Sequence, residues 1–104
     1  SAIAIRARLA KANPQAYEPA LADSYNNMAI MYFSAQRIKE CEELFTSTLA
    51  IRERLAEDDP QLYGSDLADV YDNLAIVYKH TRRFAESEAF ANAAAAIREC
   101  LGIE

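Results

Sequence analysis

Several residue types are scarce in this chain of 104 residues, and each scarcity excludes something. There are two glycines, three prolines and no tryptophan. That rules out a collagen-like or low-complexity chain, and the 52% hydrophobic content rules out a disordered one. One histidine, His80, and two distant cysteines, Cys41 and Cys100, make a zinc site or a disulfide scaffold unexpected. No apolar run approaches the roughly 18 residues a membrane helix needs, so no membrane partner is expected. Positive charge is also short: 11 basic against 16 acidic residues leave a net charge of -5. This balance argues against affinity for phosphate backbones, so no nucleic-acid partner is expected.

What remains is the composition of one compact domain spanning 1–104, large enough to hide roughly two-thirds of its unfolded surface. The opening Ser1-Ala2-Ile3-Ala4-Ile5-Arg6 lacks the pattern of a secretory leader. With no initial methionine, the chain is expected to be a piece of a longer protein. A reducing compartment fits the free cysteines, and a cytoplasmic location is expected.

The chain is organised by an internal repeat. Ala-Ile-Arg occurs at Ala4-Ile5-Arg6, Ala50-Ile51-Arg52 and Ala96-Ile97-Arg98, each 46 residues after the last. At that offset 26 of 58 aligned pairs are identical, far above chance even for an alanine-rich chain. Leu21-Ala22-Asp23 returns as Leu67-Ala68-Asp69. Tyr25, Asn27, Ala29, Ile30 and Tyr32 return as Tyr71, Asn73, Ala75, Ile76 and Tyr78. Residues 13–58 form repeat one, 59–104 repeat two, and 1–12 the end of a preceding repeat.

Each repeat reads as two helices. Leu21, Tyr25, Met28, Ala29 and Tyr32 share one face of a helix, and Leu67, Tyr71, Leu74, Ala75 and Tyr78 repeat the spacing. Second helices carry the stripes Ile38, Cys41, Phe45, Thr48, Ile51, Leu55 and Phe84, Ser87, Ala91, Ala94, Ile97, Leu101. Turns are expected at Ser34-Ala35-Gln36 and His80-Thr81-Arg82. Asn13-Pro14 and Asp59-Pro60 end the helices before them, because a residue preceding proline avoids the α region. Ser65 is the expected N-cap of the fourth helix. The spacing predicts helices near 1–12, 18–34, 37–57, 65–80 and 83–101, so the fold class is all-α, in antiparallel helix pairs.

These residues resemble the tetratricopeptide repeat over the whole chain. The small crossing residues are Ala29 and Ala75, and the aromatics are Tyr25, Tyr32, Tyr71 and Tyr78. The octapeptides Tyr25-Asn26-Asn27-Met28-Ala29-Ile30-Met31-Tyr32 and Tyr71-Asp72-Asn73-Leu74-Ala75-Ile76-Val77-Tyr78 are most similar to the kinesin-light-chain type. The resemblance implies an α-solenoid of about five helices that binds protein or peptide in a concave groove. Three features depart from the family pattern. The unit exceeds the usual 34 residues. Gln36 and Arg82 stand where glycine often separates the helices. Ser87 and Ala91 replace the larger Cys41 and Phe45, with Phe90 a candidate to compensate.

No enzyme is expected. The sequence holds no Walker glycine loop, GxSxG or HExxH, and nothing pairs His80 with a cysteine. No cofactor is implied. Glu42-Glu43 and Asp58-Asp59 read as solvated surface. Lys79, His80, Arg82 and Arg83 crowd one turn, and cations there suit a helix C-terminus.

The candidate site is the face of the first helices opposite their core stripe. On it lie Asp23, Asn26, Asn27, Ile30 and Phe33, then Asp69, Asp72, Asn73, Ile76 and Lys79. An asparagine offers both donors and an acceptor, so Asn27 and Asn73 suit clamping a peptide backbone; the resemblance implies the same role. Bonding between adjacent helices, or plain surface, are the other readings. Asn26 and Asp72 would stand beside that clamp, Ile30, Phe33 and Ile76 would take apolar side chains, and Asp23 and Asp69 would favour basic ones; packing against a neighbouring unit is the other reading of the isoleucines. A chaperone's acidic tail fits poorly, since Lys79 is the only lysine on that face. The terminal helix is alanine-rich rather than charged, so a homodimer through exposed terminal helices is also expected. An architectural segment and a regulatory sensor of a larger signalling protein are the alternative functions.

Overall fold

A computed structural model describes residues 2–12 and 14–102, with side chains described for 2–8 and 17–102. Among these residues there are five helices and no strand. They are α1 (Ala2–Ala12), α2 (Pro14–Ser34), α3 (Ile38–Asp58), α4 (Pro60–His80) and α5 (Phe84–Leu101). The all-α class is thus observed. Packing divides the chain into a first unit, Ser1–Ile51, and a second, Arg52–Glu104. The division falls inside α3, a few residues before the boundary that the 46-residue period sets.

Two helix starts differ from expectation. α2 begins at Pro14 rather than near 18, so Pro19 lies inside it. α4 begins at Pro60 rather than at 65, and Ser65 is helical, not a cap. The N-cap is Asp59, at φ -145° and ψ 86°, whose carboxylate accepts from the Leu62 N–H at 3.1 Å. Proline at the first helical position has no N–H to leave unsatisfied and already holds a helical φ. The proline therefore interrupts the chain for one residue and then starts the next helix. The matching end expected at Asn13-Pro14 rests on Asn13, which lies outside the described residues.

The two turns between paired helices are built alike. Arg37 N–H donates to Tyr32 O at 2.8 Å and Gln36 N–H to Phe33 O at 3.0 Å. Arg83 N–H donates to Tyr78 O at 2.8 Å and Arg82 N–H to Lys79 O at 3.1 Å. This pair of bonds closes a helix with one left-handed residue, a place that favours glycine. Gln36 and Arg82 occupy it, both at φ 64°. After each turn an arginine folds back over a tyrosine: Arg37 lies 4.7 Å from the Tyr32 ring centre and Arg83 3.9 Å from that of Tyr78. The basic cluster at this turn is thereby partly absorbed by structure.

The α3 stripe is buried as expected at Cys41, Phe45, Thr48, Ile51 and Leu55. The Thr48 hydroxyl is satisfied by Leu44 O at 2.9 Å. The α5 stripe holds only in part. Ser87 and Ala94 are buried, but Ala91 and Phe84 are exposed. Phe90 does the packing that Ala91 was expected to do. It stacks on Tyr71 at 5.8 Å and meets Tyr78 edge-on at 5.2 Å. Ser87 donates to Ala75 O at 2.6 Å, a bond across the α4–α5 crossing. Further along that pair, a Cβ on Gly64 would sit 2.8 Å from a Leu101 methyl, so the Leu101 side chain packs into the space that glycine leaves.

Candidate functional site

In the first unit, the expected face of α2 is largely open. Asp23, Asn27 and Ile30 are exposed, while Asn26 and Phe33 are half-buried. Ile30 keeps 46% of its surface accessible, and Met31 beside it 69%. In the second unit, Asp69, Ile76 and Lys79 on α4 are exposed, and Asp72 and Asn73 are half-buried. Ile76 keeps 55%. Each unit thus sets an apolar side chain in water one helical turn after an asparagine.

The aspartates of the second unit have a further role that the sequence reading missed. Arg98 reaches from α5 to both of them, at 3.0 Å from Asp69 Oδ1 and 2.6 Å from Asp72 Oδ2. Its guanidinium is pushed up from its ordinary value, first by the hydrogen bond to Asp72, against the opposing effect of burial. Asp69 was expected to favour basic ligand side chains, and Asp72 to stand beside the backbone clamp. Their charge is instead shared with a cation of the same unit, which reduces what they offer a ligand.

Arg98 is the third of the Ala-Ile-Arg arginines, and the other two share a different contact. Arg6 Nη1 donates to Ala20 O at 3.2 Å and also to the Ser24 hydroxyl. Arg52 Nη1 donates to Asp66 O at 3.1 Å. Ala20 and Asp66 are repeat-equivalent, as are Arg6 and Arg52. In its first two occurrences the triplet therefore marks a side chain that spans from one helix to a main-chain carbonyl in the next. Arg52 is buried and so depends on such partners. The triplet was visible in the sequence, but nothing there assigned it a partner.

Nucleophilic groups are poorly placed for chemistry. Burial, and secondarily Glu42, push the Cys41 thiol up to about 11, so it stays protonated at neutral pH. Cys100 is exposed. Burial and the neighbouring Glu53 carboxylate, 3.1 Å from its hydroxyl, push the Tyr71 phenol up. Among the described residues, no group of three or more His, Cys, Asp or Glu is arranged to hold a metal ion. No helix among them is long and apolar enough to cross a membrane.

A sequence model of the tetratricopeptide repeat matches residues 20–100. No curated protein and no solved structure matches the chain. The repeats of this family generally serve as non-catalytic modules of protein–protein interaction. The matched span takes in both glutamine- and arginine-closed turns, both tyrosine pairs and two of the three arginine triplets, and the chain belongs to the tetratricopeptide repeat family.

Proposed function

We propose that the chain binds an extended peptide, or an extended segment of a partner protein, through the exposed faces of its first helices. These are α2 in one unit and α4 in the other, and in the family's arrays such faces line the concave groove. The observation that carries the reading is the matched exposure of Ile30 and Ile76 beside Asn27 and Asn73. An isoleucine in water at one site is ordinary, but the same one at both repeat-equivalent places points to use. Asn27 and Asn73 hold ligand backbone, with Asn26 and Asp72 beside them. Ile30, Phe33 and Ile76 take apolar side chains. Asp23 favours a basic side chain, and Asp69 does so less because Arg98 engages it. Lys79 places one cation at the end of the face. The signature of both octapeptides supports the kinesin-light-chain type of repeat.

Peptides selected from a random displayed library on the wild-type chain test this reading. An Asn27→Ala/Asn73→Ala variant and an Ile30→Ser/Ile76→Ser variant, both checked by circular dichroism, are then titrated with the same peptides. At roughly 1 kcal/mol per lost hydrogen bond, and at least about as much per apolar side chain no longer buried, each double variant is expected to bind at least about tenfold more weakly. Peptides that bind all three proteins alike would move the site off these helices.

A further inference from the structure

The second unit carries an apolar depression of about 420 Å³ whose lining shares no residue with the asparagine face. Leu67, Ile97 and Leu101 are among the apolar side chains that line it, and α3 adds Glu53 and Glu57. Gly64 helps to open it. Both glutamates are exposed, and Glu53 already accepts the Tyr71 hydroxyl. An apolar lining with carboxylates in it selects an apolar side chain that has a cation close by.

The charge of the chain is divided to match. The first unit holds five basic and five acidic residues, the second six and eleven. The whole negative excess therefore lies in the second unit. α1 is the opposite case, with Arg6, Arg8 and Lys11 and no carboxylate in its eleven residues. Its Arg6 is engaged with α2. Ile5, 51% accessible, and Arg8, also exposed, stand three residues apart on the helix and so share a face.

We propose that the depression on the second unit receives α1 of a second copy of this chain. Ile5 of that copy enters against Leu67, Ile97 and Leu101, and its Arg8 meets Glu57 and Glu53. The surface is separate from the peptide-binding face, so the two readings stand or fall independently.

Light scattering after size exclusion, on the full chain from about ten micromolar to about one millimolar at low salt, tests it. The wild type is expected to rise with concentration above its 11.6 kDa monomer mass. Added salt should weaken the rise, because these charges are exposed. Arg8→Glu and Glu57→Arg should each weaken association about tenfold, and an equimolar mixture of the two variants should recover it, because opposite charges meet in both contacts between unlike copies and like charges only between identical ones. Ile5→Ser should weaken it without altering the salt dependence. Circular dichroism keeps a folding defect apart from a lost contact. A monomer mass at every wild-type concentration would overturn the proposal, and so would association that neither charge reversal changes.

Discussion

The two units solve one packing problem with different side chains. In the second unit Phe90 fits between Tyr71 and Tyr78. Its repeat-equivalent in the first unit is Leu44, and there the equivalent tyrosines, Tyr25 and Tyr32, line an open pocket of about 410 Å³ together with Met28 and Leu44. At other places the units agree closely: both turns hold a residue at φ 64°, and both set an arginine over a tyrosine ring. Local backbone geometry follows the residues the repeats share, whereas the filling of the core follows those they do not. A repeat of this kind can therefore vary its packing without changing its helix-to-helix turn, because each turn is closed by main-chain bonds that do not depend on which side chains fill the core.

The arginine triplet offers the strongest way to break the comparison. Arg52 is buried and donates to Asp66 O, while Arg98 makes its ion pairs at the surface with two partly exposed carboxylates. Arg52→Ala should cost about 2 kcal/mol in urea unfolding, since it removes a charge-assisted hydrogen bond from a buried site together with a packed stem. Arg98→Ala should cost under about 1 kcal/mol, the usual scale of exposed pairs. Equal losses would mean that the triplet acts in the same way in both places, whatever its partners.

Exchanging the aromatic fillers sharpens the contrast next. Phe90→Leu would give the second unit the first unit's residue, and should cost about 1 kcal/mol through lost ring contacts. Leu44→Phe should add a little under about 1 kcal/mol of stability, because the pocket beside Tyr25 and Tyr32 has room for a ring. If Leu44→Phe destabilises instead, the space there is set by the backbone and not by the side chain.

Much of this was legible in the sequence, and the exceptions share causes. The 46-residue identity located the helix pairs, and the α3 stripe from Cys41 to Leu55 is buried as its spacing implied. Ile30 and Ile76 are in water, as a face opposite the core stripe requires. The helix starts were misjudged because Pro60 was read as an end, although proline ends one helix and begins another equally well. Ala91 and Phe84 were placed inside by analogy with Phe45 and Ile38 and are exposed, while Phe90, offered by the sequence as the compensating neighbour, packs on the tyrosines. Val77 is 1% accessible where its equivalent Met31 is 69%, and no periodicity distinguishes the two. Equal positions in a repeat share a backbone and not a neighbourhood. The pairing of Arg98 with Asp69 and Asp72 joins residues far apart in the chain, which a single-sequence pattern does not encode.

The smallest effect bears on what the units share. A left-handed residue with a side chain costs roughly 1 kcal/mol against glycine, which visits that region freely. Gln36→Gly and Arg82→Gly should therefore each stabilise the chain, by about 0.5 to 1 kcal/mol after allowing for the greater freedom of glycine in the unfolded state. Because both residues sit at the same φ and close the same pair of main-chain bonds, the two gains should agree within about 0.3 kcal/mol, and being distant they should add in the double variant. Urea midpoints for the two single variants and the double read all three quantities. A gain at Gln36 without one at Arg82 would show that the second turn is held by contacts of its neighbouring residues that the first turn lacks. The neighbouring Arg83, bonded to the Thr81 hydroxyl at 2.9 Å as well as lying over Tyr78, is where such a difference would arise.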